Sequence, residues 1–146
     1  MSPEVIFFDL GDTLVRSPRK WLPGAKGALD SLNLKGFRLG IISNTPGLAS
    51  RVAILNVLPI DFDLSVFDSS LVFFSSEVGV EKPALSMFEK AVSASGVAAG
   101  QCLYCSENPV EILVSQSAGM RALRIITGSD DLTNMAGYVT QFRASL

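Results

Sequence analysis

The sequence predicts an α/β fold with a doubly wound parallel β-sheet, formed by a single domain over residues 1–146. Short, almost continuously apolar segments alternate with helical patterns along the whole chain, as expected for strands that helices cover on both faces. Nearly half of the residues are apolar and only 18% are charged, which is typical of a globular chain. The length suits one domain, and we find neither a linker nor an internal repeat.

Five short apolar segments are predicted to form the core strands. They are residues 5–9, 38–42, 71–74, 102–105 and 122–126. None approaches the roughly 20 apolar residues that a membrane span needs. The first is also too short for the core of a signal peptide. We therefore expect a cytoplasmic protein that does not associate with membranes.

Helices are predicted between these strands and toward the C-terminus. They cover residues 24–34, 48–58, 83–96 and 109–119, and a last helix is capped by Ser129 and Asp130. Pro83 and Pro109 each stand at a predicted helix start, where a missing N–H group costs nothing. Strands that alternate with helices imply right-handed crossovers within one sheet flanked by helices.

The composition excludes several kinds of chemistry. The chain has no histidine, so Ser-His-Asp catalysis, Cys-His catalysis and histidine-ligated metal sites are excluded. Cys102 and Cys105 lie three residues apart within a predicted strand, so their sulfurs face opposite sides of the sheet and form neither a redox pair nor a zinc site. The net charge of −2 and the absence of a long basic segment argue against nucleic-acid binding.

Polar residues follow the predicted strands at their carboxyl ends, where doubly wound sheets bind ligands. Asp9 ends the first strand, Ser43 follows the second, Lys82 comes after a loop from the third, and Glu107 follows the fourth. A carboxylate at the end of a buried strand is costly unless it is paired or used, as we expect for Asp9. Two carboxylates favour a hard cation such as Mg²⁺, and the hydroxyl and ammonium suit phosphate oxygens.

Four segments carry a family resemblance in the expected order. Residues 7–14 (FFDLGDTL), 41–45 (IISNT), 80–83 (VEKP) and 103–111 (LYCSENPVE) resemble the four motifs of the haloacid dehalogenase (HAD) superfamily. The resemblance covers nearly the whole chain and implies a Rossmann-like, HAD-like fold. It also implies the activity of most members, which are magnesium-dependent phosphohydrolases acting through an aspartyl phosphate.

The resemblance implies roles for residues in all four motifs. Asp9 would be the nucleophile that accepts the phosphoryl group. Ser43 and Asn44 would hold this group, and Lys82 would neutralise its charge and that of the nucleophile.

The same resemblance implies a Mg²⁺ site. Asp9, the backbone carbonyl of Gly11 and Glu107 would bind the ion. Glu111 would be a further ligand or a support, although its position three residues after Asn108 equally suits a capping box.

The chain departs from the family pattern at positions on which turnover depends. Gly11 occupies the position of the usual aspartate that protonates the leaving group and then activates water. Asp12 stands one residue later and would either support the site or serve only as a turn residue. Thr13 is a further residue that would support the site. Glu107 and Glu111 stand where aspartates are expected. Three hypotheses follow: a slow phosphatase, an enzyme for good leaving groups, and a catalytically impaired domain that binds a phosphorylated ligand or a protein partner.

The spacing of the motifs leaves no room for a cap domain. With an open site, we expect a phosphorylated small molecule or a phosphoprotein as substrate, and a second copy of the chain that covers the site. Trp21 and Leu22, after the first motif, would line the open edge. A receiver-like signalling domain is a weaker alternative, because serines rather than an aspartate follow the third strand.

Overall fold

The computed structural model describes residues 3–144. Its strands are β1 (Val5–Phe8), β2 (Val15–Arg16), β3 (Lys20–Trp21), β4 (Arg38–Ser43), β5 (Val72–Phe74), β6 (Cys102–Ser106) and β7 (Arg121–Arg124). Its α-helices are α1 (Ala25–Leu34), α2 (Arg51–Leu55), α3 (Ser75–Val78), α4 (Leu85–Ser95), α5 (Pro109–Ser117) and α6 (Met135–Ala144). Short 3₁₀ turns cover Leu64–Val66, Ser69–Leu71 and Ala99–Gln101.

Five of these strands form one parallel sheet in the order β5-β4-β1-β6-β7. The chain runs outward from the central strand β1 to β4 and β5, and then returns to β6 and β7 on the other side. The predicted doubly wound parallel sheet is therefore confirmed. The switch in direction lies at β1, so the carboxyl ends of β1, β4 and β6 surround the crevice where such sheets bind ligands.

The two faces of the sheet bury separate hydrophobic clusters. Phe8 and Cys105 belong to one cluster, and Phe7 and Cys102 belong to the other. Both cysteines are buried and free, on opposite faces as predicted. Gly40 of β4 leaves room for the Phe7 ring, because a Cβ atom there would lie 2.6 Å from it.

Several helix boundaries differ from the predictions. The helix predicted over 48–58 is limited to α2, because the Ser50 side chain accepts a hydrogen bond from Ala53 N and fixes the start there. Pro83 does not begin a helix, since α4 starts at Leu85 after a turn. The predicted cap at Ser129 and Asp130 is wrong, because this segment forms turns and α6 starts at Met135.

The loop after the first motif contains an antiparallel hairpin, β2-β3, which the sequence analysis did not predict. Arg19 Nε donates a hydrogen bond of 2.7 Å to the carbonyl of Leu58. Trp21 Nε1 donates to Asp61 Oδ1 at 2.7 Å, and the indole stacks on Phe62 with ring centroids 5.4 Å apart. The prediction that Trp21 and Leu22 line the open edge is therefore wrong, because Trp21 packs on this neighbouring segment and Leu22 is buried.

The connections between the motifs are short in the part of the chain that the structure describes. The hairpin and α1 fill the space between β1 and β4, and α2 with two 3₁₀ turns fills the space between β4 and β5. None of the helices in residues 3–144 has the length and apolar character needed to cross a bilayer.

Candidate active site

Asp9 directly follows β1 and is buried at the centre of the sheet edge. Its backbone N–H donates to the carbonyl of Cys105 at 3.0 Å, which continues the pairing of β1 with β6. Oδ1 accepts a hydrogen bond of 2.8 Å from Lys82 Nζ. Oδ2 accepts one of 3.1 Å from Thr13 Oγ1 and lies 3.4 Å from Ser106 Oγ. Both carboxylate oxygens are thus held in place.

Lys82 reaches Asp9 from the loop between α3 and α4. The side chain of Asn44, just after β4, fixes the backbone of Lys82. Asn44 Oδ1 accepts from Lys82 N at 2.8 Å, and Asn44 Nδ2 donates to the Lys82 carbonyl at 3.0 Å. Asn44 therefore positions Lys82, while its predicted contact with phosphate stays a prediction.

The Lys82 ammonium donates to three buried partners. It lies 2.8 Å from Asp9 Oδ1, 2.8 Å from Glu111 Oε1 and 3.0 Å from the Tyr104 hydroxyl. Only 1% of the Lys82 side chain is exposed, against 9% for Asp9 and 12% for Glu111. Since an ammonium has three donors, its hydrogen bonding is complete. The geometry satisfies Lys82 but leaves one ammonium facing two carboxylates.

Glu111 enters this cluster from the first turn of α5. Asn108 Oδ1 accepts from Val110 N and Glu111 N and so caps the helix, with Pro109 in its first turn. The Glu111 carboxylate accepts instead from Lys82, from the Tyr104 hydroxyl at 2.6 Å and from Ser106 Oγ at 3.1 Å. The capping-box alternative for Glu111 is therefore wrong, because Asn108 does the capping and the Glu111 side chain holds Lys82.

Glu107 follows β6 and is half-buried beside Asp9. Its backbone N–H donates to Thr13 Oγ1 at 3.0 Å, and the same hydroxyl donates to Asp9. Thr13 thus ties the loops after β1 and β6 together. Partial burial and the nearby charges of Asp9 and Glu111 raise the pKa of Glu107 above its usual value. An added cation would relieve this repulsion.

Like that of Glu107, the pKa values of Asp9 and Tyr104 are raised. Burial raises the pKa of Asp9, and the charge of Glu111 adds to this effect, while Lys82 opposes it. Burial, together with the charges of Asp9 and Glu111, raises the pKa of the Tyr104 hydroxyl well above its usual value. Tyr104 therefore keeps its proton and serves as a hydrogen-bond donor.

Gly11 and Asp12 lie on the exposed side of the site. A Cβ atom at Gly11 would have no neighbour within 4 Å, so the missing side chain leaves open space. Asp12 adopts a positive φ of 62°, and its carbonyl accepts from Thr127 Oγ1 at 2.7 Å, as suits a turn residue. Ser43 is buried, with its hydroxyl 3.4 Å from the Asn44 carbonyl.

The residue types at this edge suit a small, hard cation. Asp9 and Glu107 offer carboxylate oxygens, and Gly11 offers a carbonyl oxygen, while Glu111 is occupied by Lys82. Within residues 3–144, no group of three or more His, Cys, Asp and Glu side chains forms a metal site. An ion held here would need water and substrate phosphate to complete its coordination, as is common for Mg²⁺.

Tyr104 and Ser106 belong to the site, although the sequence analysis assigned them no role in it. Both lie on the same side of β6, because side chains alternate along a strand. A tyrosine within an otherwise apolar strand is a usable signal, since its buried hydroxyl needs a partner. The Tyr104 hydroxyl has two such partners, Lys82 from the loop before α4 and Glu111 from the helix that follows β6.

Neither a family model nor a curated protein matches the sequence. Solved structures do match the fold. A predicted HAD-like family hydrolase from Porphyromonas gingivalis is 18% identical with a TM-score of 0.69, over 95% of this chain and 98% of the other. A protein from Bacteroides fragilis named as a haloacid dehalogenase-like hydrolase is 16% identical with a TM-score of 0.73, over 87% and 89%.

A third match carries ligands. It is an aspartate-to-alanine variant of a HAD family enzyme from Bacteroides thetaiotaomicron, in complex with magnesium and inorganic phosphate. It is 13% identical with a TM-score of 0.67, over 88% of this chain and 97% of the other. At such low identities the likeness shows the fold, and this protein therefore has the haloacid dehalogenase-like fold in a capless form.

Proposed function

We propose that this protein is a magnesium-dependent phosphohydrolase in which Asp9 accepts the phosphoryl group of a phosphorylated small molecule. The observation that carries the proposal is the buried cluster of Asp9, Lys82 and Glu111 at the switch point of the sheet. A buried, fully bonded ion cluster is costly to build. Because the cluster lies at the ligand-binding edge of the sheet, we infer that it serves catalysis.

The chemistry follows from the contacts of Asp9. One carboxylate oxygen attacks phosphorus, and the bond from phosphorus to the leaving oxygen breaks to give an aspartyl phosphate. Lys82 lies 2.8 Å from Oδ1 and balances charge on the incoming phosphoryl oxygens. Water then attacks the phosphorus, and the bond between the Asp9 oxygen and phosphorus breaks, which releases inorganic phosphate and a proton and restores the carboxylate of Asp9.

Mg²⁺ supplies further charge neutralisation for phosphoryl transfer when it is bound. The residues that would hold it are Asp9, Gly11 through its carbonyl, and Glu107. The surplus of carboxylates over Lys82 supports this, as does the relative of the same fold that binds magnesium and phosphate. Glu111 would support the site through Lys82.

The first test is the release of phosphate from p-nitrophenyl phosphate with saturating Mg²⁺. We expect turnover that Asp9→Asn lowers at least about a hundredfold, because the nucleophile is lost. Asp30→Asn is the matched control, since Asp30 is an exposed residue of α1 that pairs with Lys26. Equal loss in both variants, or turnover that survives Asp9→Asn, would overturn the proposed mechanism.

Gly11 favours a second candidate function, a domain that binds a phosphorylated ligand or a protein partner without turnover. The residue offers no acid or base at the position two residues after the nucleophile. Beryllium fluoride, a phosphoryl mimic, discriminates between the two candidates. Tight binding that depends on Asp9, without any phosphate release, would favour the binding domain.

A further inference from the structure

A pocket of about 240 Å³ opens beside the candidate active site. It lies between the β2-β3 hairpin and the segment 48–58, and Gly11, Ser43 and Asn44 form the side that it shares with the site. Its remaining wall is mainly apolar. The apolar lining residues are Leu10, Val15, Leu48, Ile54, Val57 and Leu58.

The side chains of Asn44 and Thr45, which line this pocket, already have hydrogen-bond partners. Both polar atoms of the Asn44 side chain are bonded to the backbone of Lys82. The Thr45 hydroxyl lies 2.7 Å from Ser76 Oγ, and its backbone N–H donates to Ser75 Oγ at 2.8 Å. At Asn44 and Thr45, a ligand hydroxyl would therefore find few replacements for its hydrogen bonds to water, and such losses are costly.

We propose that this pocket binds the leaving group of the substrate, and that this group is aromatic, with one or two rings. The inference rests on the proposed function, because it places the phosphoryl group beside Asp9. The pocket volume lies below the roughly 300–1,000 Å³ of sites for drug-sized ligands. Arg16 lines the same pocket from the hairpin, so an anionic substituent on the ring is compatible with it.

Gly11 supports the same substrate class independently of the pocket walls. When Asp9 attacks phosphorus, the bond to the leaving oxygen breaks and its electron pair stays on that oxygen. An alkoxide would need a proton at this moment, and Gly11 has none to give. An aryloxide is stable enough to leave first and take its proton from water afterwards. Aryl phosphates therefore suit both the pocket and the missing acid.

The test compares three substrates in two variants. The substrates are 1-naphthyl phosphate, phenyl phosphate, and acetyl phosphate, which has a good leaving group but no ring. Val57→Asn makes the pocket wall polar, and Val52→Asn is the control, since Val52 is 68% exposed in α2 and lies outside the pocket lining. We expect 1-naphthyl phosphate to exceed phenyl phosphate about tenfold in kcat/KM, because the second ring fills the apolar wall.

We expect Val57→Asn to lower kcat/KM for 1-naphthyl phosphate about tenfold and to leave acetyl phosphate unchanged. Val52→Asn should change neither value. Equal effects of Val57→Asn on both substrates, or no effect on 1-naphthyl phosphate, would overturn the leaving-group pocket.

A binding measurement separates this inference from the proposed function. Calorimetry with 1-naphthylmethyl phosphonate, which cannot be hydrolysed, reports the pocket without turnover. Binding that Val57→Asn weakens and Val52→Asn does not, in a protein that releases no phosphate, would support the pocket and refute the enzyme. Hydrolysis of acetyl phosphate without any binding of the phosphonate would support the enzyme and refute the pocket.

Discussion

Replacing Gly11 by aspartate tests why this site departs from the family pattern. Gly11→Asp places a carboxyl group two residues after Asp9, where the resemblance expects the acid and base. A Cβ atom at Gly11 has no neighbour within 4 Å, and Gly11 is not among the residues with positive φ. The substitution therefore fits without strain, and the loss of glycine's freedom in the unfolded chain favours folding by about 0.4–1 kcal/mol.

The expected gain depends on the leaving group. A positioned general acid typically contributes about 10²–10⁴-fold to the rate. We expect a gain in this range for glycerol phosphate, whose alkoxide needs a proton. The gain for acetyl phosphate should stay within about twofold, because its leaving group needs none. Phosphate release from the two substrates under saturating Mg²⁺ measures the difference.

Gly11→Asn is the matched control, since asparagine has the same shape as aspartate but no acidic proton to transfer to the leaving group. An equal gain in both variants would show that the effect comes from shape rather than acid catalysis. A folded Gly11→Asp protein that hydrolyses glycerol phosphate no faster than the parent would refute the reasoning. Asp12→Asn should leave the parent's activity unchanged, because Asp12 serves the turn.

Three further predictions concern the buried cluster. Lys82→Met should abolish activity and lower the free energy of unfolding by about 3–5 kcal/mol in urea titrations at pH 7, because two buried carboxylates lose their ion partner; an unchanged midpoint would contradict the pairing. Tyr104→Phe should lower the free energy of unfolding by about 1–3 kcal/mol, because Glu111 loses a buried donor. A change within error would show that water replaces the hydroxyl. Asp9→Asn should be more stable than the parent at neutral pH. Because the pKa of Asp9 is raised, the folded state keeps a proton that the unfolded chain has released, so the stability of the parent falls as pH rises from about 4 through that raised pKa. A stability difference between the two proteins that does not grow over this range would contradict the direction of the shift.

The architecture was predictable because the local patterns agree with the tertiary structure. Most core strands are short, mainly apolar segments ended by polar residues or a turn, whereas β7 (Arg121–Arg124) has an arginine at each end; all five appear in one parallel sheet. The hairpin β2-β3 was not predictable, since its four residues mix apolar and basic types. Its position depends on contacts with a distant segment, such as Arg19 with the Leu58 carbonyl.

The positions of the candidate residues were easier to predict than their contacts. The strand ends predicted Asp9, Ser43 and Glu107 at the sheet edge, because such an edge collects polar groups, and their roles in phosphate and metal binding stay predictions. The partner of Glu111 could not be read from sequence, since the capping box and the contact with Lys82 both suit its position. Only the packing of α5 against β6 decides between them, by bringing Glu111 to 2.6 Å from the Tyr104 hydroxyl.

A crystal structure with Mg²⁺ and beryllium fluoride tests the central claim most directly. Our account predicts beryllium fluoride on a carboxylate oxygen of Asp9, with Lys82 in contact with it. It also predicts one Mg²⁺ ion at about 2.0–2.1 Å from oxygens of Asp9 and Glu107. A mimic that binds elsewhere, or an ion that Glu107 does not contact, would contradict the account.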